Sequence, residues 1–364
     1  ALALTAALVV GMTIPAFAET WFIEDGDISI SAGESGNHVE QGEKKQDETT
    51  ETIITNRKST ASSNTVTIEA GEGKTVDVTL KNVNIDASSG AAVSVTGKGD
   101  TNIELNGNNT LTSSSGYAGL EHNKTDNSGT LTITDDKGDA GSLTANGGID
   151  GAGIGGSDEH DGQVTITGGE ITATGGNGAA GIGGGAGDTD AVGGDGDVTI
   201  SGGTITATGG RLGAGIGGGA YGNGTVTVTD GDITAKATGR YGAGIGGGYG
   251  AKPKPSGTLI GGNGTVTISG GTITEASGGY MAAGIGSGFQ GLGTVTIEGD
   301  AVIKNAQGGK AGAGIGSGTR GDSEIIIRGN AVIENAESSA NGAGIGAGQG
   351  SLRDNISTVG KVTI

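Results

Sequence analysis

The chain has 364 residues, of which 83 are Gly, 3 are Pro and none is Cys, and its 40 acidic and 20 basic side chains leave a net charge of −20. Without Cys there are no disulfides, thiolate metal sites or Cys nucleophiles, and with so little Pro and no Gly at every third position a collagen helix is excluded. The acidic balance disfavours nucleic acid and anionic membrane surfaces, where binding rests on Lys and Arg neutralising phosphate, and favours neutral or cationic partners or metal ions.

Residues 1–18 are an uncharged apolar run ending in Ala16-Phe17-Ala18, the small-x-small pattern of a signal-peptidase site. The run lacks an initiator Met and a basic start, so it reads as a signal peptide clipped at its beginning; an uncleaved membrane anchor is the other reading. No other segment is apolar enough to span a bilayer, so no membrane insertion is expected after cleavage. Residues 19–63 predict an irregular N-terminal turn and a polar loop, because "NHVEQGEKKQDETTETIITNRKSTASSN" is polar, charged and unperiodic.

From 64 to 364 the chain is periodic. The motif AGIG, with its isoleucine at 154, 182, 216, 245, 285, 315 and 345, recurs at spacings of 28, 34, 29, 40, 30 and 30 residues. Leu120, in "YAGLEHN", occupies the same place one turn earlier. Each AGIG is followed by "VTI" or a variant, beginning at Val164, Val198, Val226, Val266, Val295, Ile325 and Val362. Seven residues later comes an "ITA"-like strand, beginning at Ile171, Ile205, Ile233, Ile273, Val302 and Val332. Three short apolar strands per repeat, bounded by Gly, describe one turn of a three-sided solenoid of about 30 residues. The predicted fold is all-β: a single-stranded parallel β-helix, right-handed by the chirality of parallel crossovers. One turn buries too few aliphatics to offset the ordering of its backbone, so the turns form one cooperative rod.

Strand alternation turns Val and Ile inward and Thr outward, giving Thr columns such as Thr199, Thr227, Thr267 and Thr296. Separations from the AGIG isoleucine to the next VTI are 10, 16, 10, 21, 10, 10 and 17 residues, so the long insertions leave from one corner, where binding is expected. In "GAGIGGG" the Ala and Ile point in, which predicts a strip of outward glycines without side chains; the plainer reading is that Gly permits tight corners and close backbone approach. The final strand ends at Ile364 on an unpaired edge, so a capping or anchoring segment is expected to follow.

The runs "EDGDISISAGESGNH", "LKNVNIDASSGAA", "LNGNNTLTSSSGYAGL" and the "GAGIGGG…GTVTISGGTITATGG" repeats resemble secreted bacterial right-handed parallel β-helix proteins known as carbohydrate-binding-domain proteins. The resemblance covers nearly everything after residue 20. It implies an extracellular or cell-surface, glycan-associated protein, and no catalytic motif of the family is present to carry over.

The residues offer two candidate sites. Tyr221, Tyr241, Tyr249, Tyr280 and Phe289 flank three consecutive AGIG segments, so rings at both corners of the glycine strip could stack on sugar faces while Arg211 and Arg240 donate hydrogen bonds to hydroxyls or uronate carboxylates. The partner is then a polysaccharide or cell-surface glycan. The other reading makes the tyrosines corner fillers with their hydroxyls in water. Asp158, Glu159 and Asp161 in one turn face Asp188, Asp190, Asp195 and Asp197 in the next, about 4.8 Å away. A hard cation such as Ca²⁺ would relieve their repulsion; the alternative is an acidic loop splayed into solvent. "GGDGD" at 193–197 is similar to Gly-Asp calcium repeats, but Val198 sits where an Asp belongs.

Catalysis is not expected. The three His (38, 122 and 160) lie far apart in polar stretches and read as solvent-exposed, and neither G-x-S-x-G nor H-E-x-x-H occurs. A polysaccharide lyase-like enzyme is the alternative, with Arg211 or Arg240 as the base, although the outer faces are Thr and Gly. A purely structural surface rod is another. The Thr columns also suggest ice binding, but Lys236, Glu298 and Ile326 interrupt them.

Overall fold

The computed structural model describes residues 19–34, 36–48, 52–138, 140–187, 194–250, 262–350 and 360–364. The signal-peptide reading of 1–18 therefore lies outside the described residues. Among those described the chain forms short β-strands, one 3-10 turn at Ile23–Asp25 and no α-helix, and no helix is long and apolar enough to cross a membrane.

The architecture is a parallel β-solenoid. The AGIG dipeptides Ile154–Gly155, Ile182–Gly183, Ile216–Gly217, Ile245–Gly246, Ile285–Gly286, Ile315–Gly316 and Ile345–Gly346 pair each with the next, isoleucine on isoleucine. Leu120 pairs with Ile154 on one side and Val93 on the other, and the same column continues through Val66 to Ile28. This sheet has 13 strands, and a second of 20 strands carries the VTI and ITA columns. Gly196–Gly209 and Gly224–Ala237 run unbroken from one of those columns to the other.

Period-two alternation sets what faces inward. In one turn Val198, Ile200, Ile205, Ala207 and Ile216 are all buried, while Thr199 is stacked with Thr227, Thr267 and Thr296 at half-buried or exposed positions on the outer face. All turns share one continuous hydrophobic core along the rod.

Two expectations are corrected here. In the late turns Ile303, not Val302, pairs with Ile273, and Ile333 pairs with Ile303. The connection from Ile297 to Ile303 is one residue longer than that from Ile268 to Ile273, and of two adjacent aliphatics only one can point inward: Ile303 is fully buried and Val332 is 48 % exposed.

The segment 19–63 is also more ordered than a polar loop. Ile28–Ala32, Asn37–Gln41 and Lys44–Glu48 form an antiparallel meander, and Thr52–Thr55 joins the large sheet between Thr20–Phe22 and Thr75–Lys81. Its inward positions carry polar groups that find partners. The Asn37 Nδ2 donates to Thr52 Oγ1 (2.9 Å) and to the Asp77 carbonyl (2.7 Å), and Gln41 Nε2 donates to the carbonyls of Phe22 (2.8 Å) and Gly26 (2.9 Å). Buried amides so satisfied are tolerated in a core.

Candidate functional site

Each AGIG segment is a folded-back excursion. The alanine N–H donates to the carbonyl four residues on, as in Ala214 to Gly218 (2.8 Å), Ala243 to Gly247 (2.9 Å) and Ala283 to Ser287 (3.1 Å). The residue four after the isoleucine then donates to the carbonyl of the residue four before the isoleucine of the preceding turn: Tyr249 to Leu212 (2.8 Å), Phe289 to Tyr241 (2.9 Å), Thr319 to Met281 (2.8 Å). The two ends of the excursion are thereby brought together in a single row along the rod.

This geometry corrects the strip of outward glycines. Residues 213–220 are all buried. A Cβ on Gly215 would lie 2.6 Å from the Gly244 carbonyl oxygen and 2.6 Å from the Lys236 nitrogen, and one on Gly217, where φ is +126°, would lie 2.1 Å from the Gly246 oxygen. The glycines let one turn's backbone approach the next; they do not form an open floor.

The aromatic side chains form one row, not two walls. Tyr249 lies at its centre, with ring centroids 5.3 Å from Tyr221, 4.7 Å from Tyr241 and 5.9 Å from Phe289, and Tyr241 is 5.4 Å from Phe289. All four are half-buried. Burial, with neighbouring Tyr221 and Tyr241, pushes the Tyr249 hydroxyl up from its ordinary value. Tyr280, 45 % exposed, stands apart from that cluster and is joined to it by Arg240, whose Cζ is 5.4 Å from the Tyr280 ring and 5.5 Å from the Tyr241 ring. Lys310 Nζ lies 5.7 Å from Tyr280, and Arg320 Cζ lies 5.8 Å from Phe289. These are cation–π distances. Arg211 is exposed and stacked one turn below Arg240, whose N–H donates to its carbonyl (3.3 Å).

The acidic residues are distributed among different tasks. Asp161 Oδ1 accepts from the Asp195 N–H (2.8 Å), Asp195 Oδ1 from the Asn223 N–H (2.6 Å), Asn223 Oδ1 from the Asn263 N–H (3.2 Å), and Asn263 Oδ1 from the Leu292 N–H (2.8 Å). That ladder of side chains caps the backbone of each following turn. Burial pushes the Asp195 carboxyl up, against the lowering effect of its Asn223 donors. Asp197 is paired with Lys124 at 2.7 Å. Asp158 and Glu159 are exposed beside a small cleft of about 240 Å³ whose lining includes Asp150, Gly178, Ala186 and Ala220. Burial, then repulsion from Asp150 and Glu159, pushes Asp158 up. Asp188 and Asp190 lie outside the described residues. Among the described residues no group of three or more His, Asp or Glu side chains is arranged to hold a metal ion.

Two of the three histidines depart from the expected solvent exposure, while His160 is exposed, and two buried glutamates stand outside the sequence motifs. His122 is 2 % exposed, its Nδ1 is 2.8 Å from the Gln163 carbonyl, and burial lowers its pKa. His38 lies between Asp47 (2.6 Å) and Glu40 (3.1 Å), which raise its pKa. Neither is free in solvent. Glu104 and Glu121 sit in outward strand positions of early turns yet are 5 % and 7 % exposed. Breaks in an otherwise Thr- and Gly-bearing column were the available signal.

A family model described as a beta helix repeat matches residues 164–186, 198–220, 221–249 and 266–289. No curated protein and no solved structure matches the chain. The matched spans begin at the VTI strand or at Tyr221 and run through the AGIG excursion, so they contain Arg211, Tyr221, Arg240, Tyr241, Tyr249, Tyr280 and Phe289. The fold and the repeat agree: this is a parallel β-helix whose aromatic row is carried by beta-helix repeats.

Proposed function

We propose that the chain is a non-catalytic rod, secreted or on the cell surface, that binds a polysaccharide along the aromatic row of its AGIG corner. The observation that carries the reading is the cluster of Tyr221, Tyr241, Tyr249 and Phe289, with centroids 4.7–5.9 Å apart on successive turns and every ring half-buried. Rings so placed present apolar faces at a fixed spacing, as stacking on sugar faces requires, and tyrosine hydroxyls can meet sugar hydroxyls. The chain has 9 aromatic residues in all, so gathering five of them on one corner supports a role for that corner. Arg240 rests on the Tyr241 and Tyr280 rings, and among the described residues neither it nor Arg211 is paired with a carboxylate, which supports binding over lyase-like chemistry.

The same ring-to-ring contacts favour a second reading, in which the tyrosines cover the corner and bind nothing. The triple variant Y221A/Y249A/F289A separates the two. Ring pairs contribute about 0.5–1.5 kcal/mol each, so the melting temperature falls under either reading and affinity decides. The expected result is retention of the folded β spectrum with glycan affinity reduced about tenfold or more, one lost factor of ten being about 1.4 kcal/mol. Unchanged affinity in the folded variant would assign the rings to covering the corner.

A further inference from the structure

The charge carried by the corner differs from that of the rest of the chain. Counting from the AGIG isoleucine, the residues five before it are Arg211, Arg240, Tyr280 and Lys310 in four successive turns, and the cations among them are exposed. The backbone links Arg211 to Arg240 (3.3 Å) and Tyr280 to the turn of Lys310, where the Ala311 N–H donates to the Tyr280 carbonyl (3.1 Å). Several other cations of this acidic chain are tied to carboxylates of the same or a neighbouring turn: Lys98 to Glu72, Lys124 to Asp197, Lys236 to Glu275, Arg328 to Glu298, Lys361 to Glu324. Among the described residues Arg211, Arg240 and Lys310 have no carboxylate partner; Arg240 and Lys310 rest on rings.

Among the described residues no acid occupies the positions that flank the excursion in these turns. The flanking positions, four before and four and five after each isoleucine, hold Leu212, Tyr241, Met281 and Ala311, then Ala220, Tyr249, Phe289 and Thr319, then Tyr221, Gly250, Gln290 and Arg320. Two turns earlier the same corner carries Asp150, Asp158 and Glu159. In a chain of net charge −20, a strip of cations without a carboxylate partner among the described residues and interleaved with rings is matched to a ligand bringing its own anions. A guanidinium offers a planar fork that fits a carboxylate or sulfate with two parallel hydrogen bonds.

We infer that the occupant of the aromatic row is an anionic polysaccharide, its rings stacked on Tyr241, Tyr249 and Phe289 and its carboxylate or sulfate groups paired with Arg211, Arg240 and Lys310. This rests on the glycan reading above and adds the class of sugar. The bound chain runs along the rod axis over three turn steps, about 15 Å, and stops short of Asp158 and Glu159, which repel it. The surrounding acidic field opposes non-specific adhesion of polyanions, so binding is confined to this strip and weakens as salt screens it.

The test is calorimetric titration of the chain, and of the exposed-site variant R211Q/R240Q/K310Q, with four polymers: polygalacturonate, the same polymer with its carboxyls reduced to alcohols, a sulfated galactan, and oligo(dT). The inference expects polygalacturonate or the sulfated galactan to bind, the carboxyl-reduced polymer to bind at least about tenfold more weakly, and the triple variant, folded and with a melting temperature lowered only slightly by loss of its exposed cation–π contacts, to lose about tenfold or more toward the anionic polymer. Which anionic polymer binds identifies carboxylate or sulfate as the group recognised. Equal binding of the neutral and anionic polymers, with no effect of the variant, overturns the anionic class while leaving the glycan reading standing. Binding of none of the glycans overturns both, and binding of oligo(dT) more tightly than any glycan assigns the strip to nucleic acid.

Discussion

Replacing Gly246 by Ala is expected to lower the free energy of unfolding by about 2–6 kcal/mol, the sum of backbone strain and overpacking at one site. Two causes act together. The φ at Gly246 is +127°, which an L side chain rarely adopts, and the new Cβ would lie 1.9 Å from the Gly286 carbonyl oxygen of the next turn. That oxygen belongs to a stacked partner and cannot swing away without separating the two turns. In a solenoid each turn is stabilised by its neighbours, so damage to one interface weakens both turns it joins. Gly90→Ala serves as the control, because its φ is +78° but nothing lies within 4 Å of the added Cβ. It is expected to cost only the left-handed penalty, about 1–2 kcal/mol. Denaturant midpoints of the two variants measure the difference. Equal losses would mean that close approach of the turns is not what the AGIG glycines provide.

The second large effect lies at Glu121, in the position that Gly155 occupies one turn later. Its Oε1 accepts from Ser94 Oγ (3.2 Å), while its Oε2 is buried without a hydrogen bond. Burial pushes its carboxyl up from the ordinary value of 4.5, with Ser94, the Ala118 amide and His160 pulling the other way. A folded-state pKa above the unfolded one means that the native state holds the proton longer. The group's contribution to stability is therefore full below pH 4.5 and is lost as pH rises through the folded value. Glu121→Gln keeps the shape and removes the titration. Relative to the parent, the variant is expected to gain melting temperature progressively between pH 4.5 and pH 8. Melting curves that stay parallel across that range would show that Glu121 is not charged at the cost of stability.

The sequence period revealed most of the fold because stacking converts a repeat into a column. Ile154 through Ile345 are consecutive partners, as their recurrence implies, and Leu120 sits in the column its weaker motif indicates. What a period cannot carry is local backbone shape. Nothing in "GAGIGGG" states that the segment folds back on itself, so Tyr241 and Tyr249, eight residues apart, were read as opposite walls when their centroids are 4.7 Å apart. Nor does a period choose between adjacent aliphatics, as at Val302 and Ile303, where a connection one residue longer than in the preceding turn decides. The meander at 28–48 escaped because its inward positions hold Asn37 and Gln41, whose partners, Asp77 for one and Phe22 for the other, come from distant segments. Asp161 and Asp195 pointed toward a cation site by sequence; the backbone amides that they accept from belong to the next turn, and only the stacked structure brings those into reach.

A glycan array probed with the whole chain bears most directly on the idea that the AGIG corner is a sugar-binding face. Retention of acidic polysaccharides, lost when Tyr221, Tyr249 and Phe289 are replaced together by Ala, is the predicted result. Retention of no glycan at all, or retention that survives the triple replacement in the folded protein, would contradict it.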